Sequence, residues 1–413
     1  MEAMKMEHVI RADTSGIIKK INVAPGDIIV EGHPLVFVEQ ADVGDAALES
    51  EDEIDLDYIR PDLAETNARH AYTLDENRSE AVAKRYARGY RMPRENIAQL
   101  VDEGTFKEYG PLVVARQHQR QTDEELRRNT PADGLVAGIG SVNGKYFAPD
   151  RARTMIISYD YTVLAGTQGG RNHYKQDRMF ELAERYKLPL VFFTEGGGGR
   201  PGDDSRGPGV AFDTHTFTQF SQLSGWVPLV GVNNGRCFAG NTALLACCDV
   251  IIATENSTIA MGGPAMIEGG GLGKFVPEDI GPIDVQVKNG VVDIACADER
   301  EATAIARQTL SYFQGATQQW SAADQRLLRH AIPEDRLRVY DIRALIDDLA
   351  DTGSVVELRR DYGVGLLTVL IRIEGCPFGL IANDPRHLGG AIDGDGGEKG
   401  ARFLQLCDVY GLP

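Results

Sequence analysis

Three stretches of this sequence follow a candidate strand and can bring backbone N–H groups against a ligand. Glu195-Gly196-Gly197-Gly198-Gly199-Arg200-Pro201 comes directly after the apolar run Leu190 to Thr194. Four glycines without Cβ atoms permit close backbone approach, so the loop can form an anion nest or one wall of an oxyanion hole. Gly231 to Asn241 leaves a second strand and enters a helix of small residues. N–H groups at such a helix start point outward in a positive local field, which suits a developing thioester oxyanion. Asp160 to Gly170 also separates a strand from a helix, and Met261-Gly262-Gly263-Pro264 with Glu268-Gly269-Gly270-Gly271 adds a fourth glycine cluster. Read alone, each is equally a flexible loop or a place of close helix–strand packing. Near the N-terminus a further reactive group, the amine of Lys5, stands between Met4 and Met6.

Other catalytic equipment is sparse. There is no Ser-His-Asp order, no metal-ligand spacing and no evident acid–base dyad. The eight histidines, His8, His33, His70, His118, His173, His215, His330 and His387, are scattered. The six cysteines form no C-x-x-C pair, which argues against a zinc ribbon and for reduced thiols in a cytoplasmic protein. A formal charge of −18 over 413 residues argues against a nucleic-acid or membrane-surface partner. An anionic ligand must then be met by local bases or N–H groups. Arg171, Lys175 and Arg178, at helical spacing behind the Gly166 loop, are candidates for that task.

The elements that position these loops follow from periodicity. Residues 1–40 alternate β-branched runs with turn chemistry such as Ala24-Pro25-Gly26-Asp27 and read as a small all-β unit. Residues 41–58 hold eight acids between Asp42 and Asp57 and no base, the pattern of a solvated linker. Residues 60–103 are expected to be largely helical. From Ser141 strands alternate with helices, which argues for an α/β arrangement. Expected strands are Thr154–Ser158, Pro189–Thr194, Val227–Val232 and Val250–Thr254. Expected helices are Gln176–Tyr186, Ala211–Leu223, Asn241–Cys248 and Glu301–Phe313. Asp324 to Gly353 reads as a polar helical connector, and Leu366–Ala382 is again strand-rich before a helix from Gly397 to Asp408.

Two resemblances attach to these residues. Glu2-Ala3-Met4-Lys5-Met6 resembles the biotin attachment sequence of biotin carrier domains, which implies biotin bound covalently at Lys5. The attachment lysine of such domains lies on a central hairpin tip, so about half of the domain is expected to precede Met1. From about Met92 to Pro413, on the glycine loops above, the chain resembles the carboxyltransferase component of biotin-dependent acyl-CoA carboxylases. Asn383-Asp384-Pro385-Arg386-His387-Leu388-Gly389-Gly390 and Glu398 to Phe403 resemble the opening of that component's C-terminal half.

The resemblance implies a crotonase-type fold of ββα units wound in a spiral. The implied division is 1–40 carrier, 41–58 linker, 59–360 N-terminal transferase domain and 361–413 the start of the C-terminal one. Carried over, Ala239 and Gly240 would hold the thioester enolate, with Gly197, Gly198, Gly199 and Arg200 beside them. Gly166, Thr167, Gln168 and Gly169, with Gly199 and Arg200, would line the CoA site. Many family members have glycine where this chain has Ala239, and Gly-Gly-Ala-Arg where it has four glycines and Arg200. With the fused carrier, this looks more like the single-chain, multidomain carboxylases.

In the implied mechanism carboxybiotin releases carbon dioxide in a shielded site and the ureido anion takes the α proton of an acyl-CoA, so no protein base is needed. Implied partners are acyl-CoA, a biotin carboxylase domain or subunit that would use ATP and magnesium, and further copies of the chain sharing sites between N and C halves. The 413 residues alone are expected to be inactive. The alternatives are a biotin-dependent decarboxylase, or a crotonase-type hydratase or hydrolase using Glu195 or Glu268.

Overall fold

The computed structural model describes residues 1–3, 5–43, 55–204 and 214–413. Met4, most of the acidic stretch 41–58 and the start of the helix expected from Ala211 therefore lie outside the described residues. The chain divides into two units, Met1–Ala64 and Glu65–Pro413.

In the first unit β1 (Glu2–Ala3) and β2 (Met6–Glu7) are antiparallel, with Ala3 opposite Met6. That register leaves a two-residue connection, and Lys5 in it adopts φ 67°, the positive φ that tight hairpins require. β3 (Gly16–Ile21) pairs antiparallel with β4 (Val36–Gln40), with an irregularity between Ile18 and Lys20.

Apolar runs buried on both faces build the second unit. Its first strands are β5 (Lys107–Glu108), β6 (Leu135–Ser141), β7 (Arg153–Tyr159), β8 (Leu190–Phe193), β9 (Leu229–Asn233), β10 (Arg236–Phe238), β11 (Val250–Thr254), β12 (Thr258–Ala260) and β13 (Ile294–Cys296). Seven of them form one sheet in the order β13-β11-β9-β8-β7-β6-β5. Strands β7 to β13 in it are parallel, and β5 and β6 are added antiparallel. Alternate residues feed two cores. Ile156, Val191, Val230 and Ile252 pack with Ile97, Leu310 and Phe403 from helices on one face. Ile157, Phe192, Leu229 and Ile251 pack with Phe180, Phe220 and Leu244 on the other. Such two-sided cover is what makes parallel strands read as continuous apolar runs.

A second, narrow layer lies at the ends of the parallel strands. β10 pairs parallel with β12, from Arg236 opposite Thr258 to Phe238 opposite Ala260. Isolated parallel bridges Gln168–Gly199 and Gly196–Cys237 continue it through the glycine loops. Each unit is thus a long strand, a short extended segment and a helix: β7 with the helix Gly170–Tyr186, β9 with β10 and the helix Gly240–Ala246, β11 with β12 and the helix Pro264–Gly269.

The antiparallel sheet β14 (Val356–Leu358), β15 (Leu366–Ile373) and β16 (Cys376–Asn383) follows. The division expected at 360/361 falls in the loop joining the paired strands β14 and β15, and both sides belong to one compact unit.

Candidate active site

The three glycine loops meet at the ends of β7, β8 and β9, and main-chain bonds lace them together. Gln168 N–H donates to the Gly198 carbonyl at 2.7 Å, and Arg200 N–H to the Gln168 carbonyl at 2.8 Å. Gly196 N–H donates to Arg236 at 2.8 Å, and Phe238 N–H to Gly196 at 3.0 Å. Asn241, fully buried in the helix Gly240–Ala246, joins all three. Its Oδ1 accepts from Gly198 N–H at 2.9 Å and its Nδ2 donates to the Gly166 carbonyl at 3.2 Å.

These bonds decide which N–H groups remain for a ligand, because every buried main-chain donor must find a partner. Gly197 N–H donates to Ala165 at 3.0 Å, Gly198 N–H to Asn241, and Ala239 N–H to Ala260 at 3.2 Å. Gly240 and Gly199 are left, with no acceptor for their N–H groups among the described residues. Gly240 is half-buried at the first position of its helix, and Gly199 is exposed. Of the four residues expected to form the oxyanion pocket, Gly240 therefore retains a free donor. Gly197, Gly198 and Ala239 shape the loops that present it.

Ala239 is held at φ 51°, ψ −120°, a conformation that glycine adopts far more readily. Its carbonyl accepts from Ala243 N–H, and so opens the helix that carries Gly240. The Ala239 methyl fills the space beside Gly198. A Cβ on Gly198 would stand 2.6 Å from that methyl, so Gly198 must stay glycine.

Gln168 lies against Gly240. A Cβ on Gly240 would stand 2.1 Å from Gln168 Oε1. A buried relay fixes that amide: Gln168 Nε2 donates to the Tyr159 hydroxyl at 2.7 Å, which donates to Gln176 Oε1 at 2.9 Å.

Several charged residues expected to meet a ligand turn inward instead. The Arg200 side chain is 1% exposed and pairs with Asp133 at 2.5 Å, while also donating to the Thr167 carbonyl at 2.8 Å. Burial pushes Asp133 up to about 6 even beside that guanidinium. Arg200 is thus a strut between two loops rather than a phosphate ligand. Lys175 is buried too. Its ammonium donates to the Leu135 carbonyl at 2.5 Å, and burial lowers it to about 8. Arg171 donates to the Val114 carbonyl at 3.3 Å, and Arg178 pairs on the surface with Glu181 at 2.6 Å. The start of the helix Gly170–Tyr186 is itself occupied by Asp203, which accepts from Gly170 N–H at 3.1 Å.

Glu195 sits at the root of the four-glycine loop, buried under Arg85 in a two-pronged ion pair of 2.6 and 2.9 Å. Burial pushes it up to about 7 against the pull of Arg85. Glu268 is exposed and pairs with Lys274 at 2.9 Å. Sequence reasoning placed Asn241 at the start of its helix without giving it a task, and missed Arg85 and Asp133; only the burial of their partners reveals what they do. Among the described residues no group of His, Cys, Asp and Glu could hold a metal ion, and no helix is long and apolar enough to cross a membrane.

Comparison with known proteins agrees with this geometry. Residues 84–413 match the family described as carboxyl transferase domain, and residues 1–38 the one described as biotin-requiring enzyme. The methylmalonyl-CoA carboxyltransferase 12S subunit of Propionibacterium freudenreichii subsp. shermanii is 28% identical over 344 residues, 80% of this chain and 63% of that protein. The propionyl-CoA carboxylase beta chain of Saccharopolyspora erythraea is 28% identical over 371 residues, 85% of this chain and 66% of that one. Among solved structures, a single-chain, multi-domain long-chain acyl-CoA carboxylase superposes with TM-score 0.84 and 52% identity, over 100% of this chain and 39% of that one. Transcarboxylase 12S, at 24% identity and TM-score 0.71, shares the fold, which is of the crotonase-like type expected. The chain therefore spans less than two thirds of the length of these curated relatives and well under half of the single-chain carboxylase.

Proposed function

Because the chain belongs to the carboxyl transferase family, we propose that it serves a biotin-dependent acyl-CoA carboxylase, moving a carboxyl group onto the α carbon of an acyl-CoA. The observation that carries this reading is that Gly240 and Gly199 keep unspent N–H groups while those of Gly196, Gly197, Gly198 and Ala239 beside them are all taken. An acyl-CoA thioester that loses its α proton becomes an enolate, with charge gathered on the thioester oxygen. Preorganised N–H donors stabilise that charge without having to reorganise, and each is typically worth about 3 kcal/mol of barrier. Gly240, at a helix start, adds the positive end of the helix.

Lys5 fits attachment of biotin: it is exposed, and it lies in a two-residue hairpin connection that presents its amine outward. Biotin, when attached, supplies a carboxyl group on its ureido ring. The residues of this chain bind and orient the acyl-CoA, hold its thioester oxygen and exclude competing donors. A biotin carboxylase domain or subunit using ATP and magnesium would load the carrier, and further copies of the chain would complete shared sites. Neither Glu195, locked under Arg85, nor the exposed Glu268 is placed as a free base, which favours this reading over a hydratase or hydrolase.

The test is fixation of labelled bicarbonate into acyl-CoA by the complete enzyme that contains this chain. Incorporation should depend on Lys5 and be blocked by avidin. Full incorporation after Lys5→Ala, with no biotin on the protein, would overturn the proposal.

A further inference from the structure

In the Glu65–Pro413 unit the helix Ser79–Tyr86 carries an arginine at each end, and both turn inward onto the glycine loops. Arg78, its N-cap, pairs with Asp160 at 2.7 Å and donates to the Thr162 hydroxyl at 2.6 Å. Both acceptors open the first loop. Arg85, in the last turn, holds Glu195 at the root of the second loop with both prongs of its guanidinium. That guanidinium also lies 4.5 Å from the centre of the Tyr90 ring and 5.9 Å from that of Tyr161, which belongs to the first loop. Glu195 in turn touches the third loop: a Cβ on Gly235 would stand 2.7 Å from its Oε1. Two arginines spaced two helical turns apart, roughly 10 Å along the axis, thus reach all three loops.

These buried pairs are a poor source of stability. Taking both charges out of water offsets most of their attraction, and apolar side chains of similar size often replace such a pair at little cost. What a guanidinium fork on a carboxylate supplies is a fixed direction and distance. The first loop needs such fixing. Leu164 and Ala165 hold φ of 49° and 55°, which residues other than glycine keep only where their surroundings impose it. The Ala165 carbonyl accepts from Gly197 N–H, and the Gly166 carbonyl from Asn241 in the helix that begins at Gly240. A shift of the first loop therefore passes to both free donors.

We propose that Arg78 and Arg85 are positioning residues for the carboxyl transfer, an inference that rests on the acyl-CoA reading above. Held by one helix, they set how far apart the loops stand, and so where Gly240 and Gly199 aim their free N–H groups. Those donors meet a charge that develops only in the transition state. Misplacing them should slow the reaction more than it weakens binding.

Fixation of labelled bicarbonate by the complete enzyme that contains this chain tests this, with acetyl-, propionyl- and palmitoyl-CoA each varied as acceptor. Arg85→Lys keeps a charge beside Glu195 but loses the fork, and Arg78→Lys does the same beside Asp160. Thermal unfolding checks that each variant folds. Each lysine variant should lower kcat about tenfold and change KM for the acyl-CoA less than about twofold. Arg85→Ala should lower kcat about a hundredfold. Guanidinium at about 20 mM, far below denaturing strength, can enter from the open cleft that Arg85 lines and should restore kcat at least about tenfold. Ammonium at the same concentration should not, because it has no fork. Should Arg85→Ala fail to fold, the lysine variants carry the test alone. Unchanged kcat in either folded lysine variant, a rise in KM with kcat unchanged, or a loss in folded Arg85→Ala that guanidinium does not relieve would overturn the proposal and leave the acyl-CoA reading standing. A parent enzyme that fixes no label into any of the three acceptors would overturn both.

Discussion

Asn241 should prove costly to truncate, and the cost can be worked from its two bonds. Its amide is fully buried, and it satisfies Gly198 N–H at 2.9 Å and the Gly166 carbonyl at 3.2 Å, both of them buried. Asn241→Ala leaves both main-chain groups without a partner. Each such group costs about 1–3 kcal/mol, so a loss of about 2–6 kcal/mol is expected, toward the lower end where the loops relax. Both tryptophans, Trp226 and Trp320, lie in the Glu65–Pro413 unit, so their fluorescence follows its unfolding in urea. With a denaturant slope of roughly 3 kcal/mol/M, a loss of about 3 kcal/mol lowers the midpoint by about 1 M. Asn241→Asp separates the two bonds. It keeps an acceptor for Gly198 but turns a carboxylate toward the Gly166 carbonyl. It should be at least as destabilised at pH 7 and should recover part of the loss near pH 5, where a protonated carboxyl can donate. A loss below about 1 kcal/mol in Asn241→Ala, or Asn241→Asp as stable as the parent at pH 7, would refute the view that Asn241 clasps the loops.

Three further outcomes are expected. Gly240→Pro deletes the free donor and should lower kcat of the complete enzyme by about 10²–10³, whereas Gly240→Ala keeps the N–H and must push aside the Gln168 amide, 2.1 Å from the new Cβ, and the edge of the Phe217 ring at 3.1 Å, so it should lose less through the donor. Equal losses in the two would point to crowding instead. Ala239→Gly relieves a strained φ of 51° worth about 1–3 kcal/mol at an entropic cost of about 0.5–1 kcal/mol, so its urea midpoint should rise slightly; a fall counts against stored strain. His173 is lowered to about 4, chiefly by burial, and its Nδ1 lies 2.9 Å from the Thr216 hydroxyl, which donates to Asp177. The unfolded chain then binds a proton more readily than the folded one, so His173 costs stability as pH falls from about 6.5 toward 4. The difference between the parent and His173→Gln, in urea at pH 7 and pH 4.5, should amount to about 2 kcal/mol in that direction, and a flat difference would show the ring to be solvated.

What can be read in the sequence is what burial writes into composition. Val250–Thr254 is legible to the residue, because a strand covered on both faces is a continuous apolar run. The helix at Gly170–Tyr186 begins six residues earlier than its apolar period, because Gly170, Arg171, Asn172 and His173 carry no periodic signal and Asp203 caps the helix start from outside it. β10 and β12 have three residues each, too few for any alternation, so the second layer of each ββα unit leaves no trace of its own. Arg200 and Lys175 read as charges free to meet a ligand. Only Asp133 and the Leu135 carbonyl, distant in sequence, make their burial tolerable.

The glycines show the same limit at the chemistry itself. Gly196, Gly197, Gly198 and Gly199 are indistinguishable as letters, and each permits close backbone approach. The fold gives them different work. A Cβ on Gly196 would stand 2.1 Å from Asn241 Nδ2, and one on Gly198 2.6 Å from the Ala239 methyl, so these two are glycine for lack of room. A Cβ on Gly199 would meet nothing within 4 Å. Its distinction is that neighbouring strands and loops have claimed the N–H groups before it and left its own unclaimed. An oxyanion site made of main chain is therefore a remainder, fixed by every other hydrogen bond in the cage. That is why residues such as Asn241, Arg200 and Asp133, which hold loops rather than substrate, decide where the free donors point.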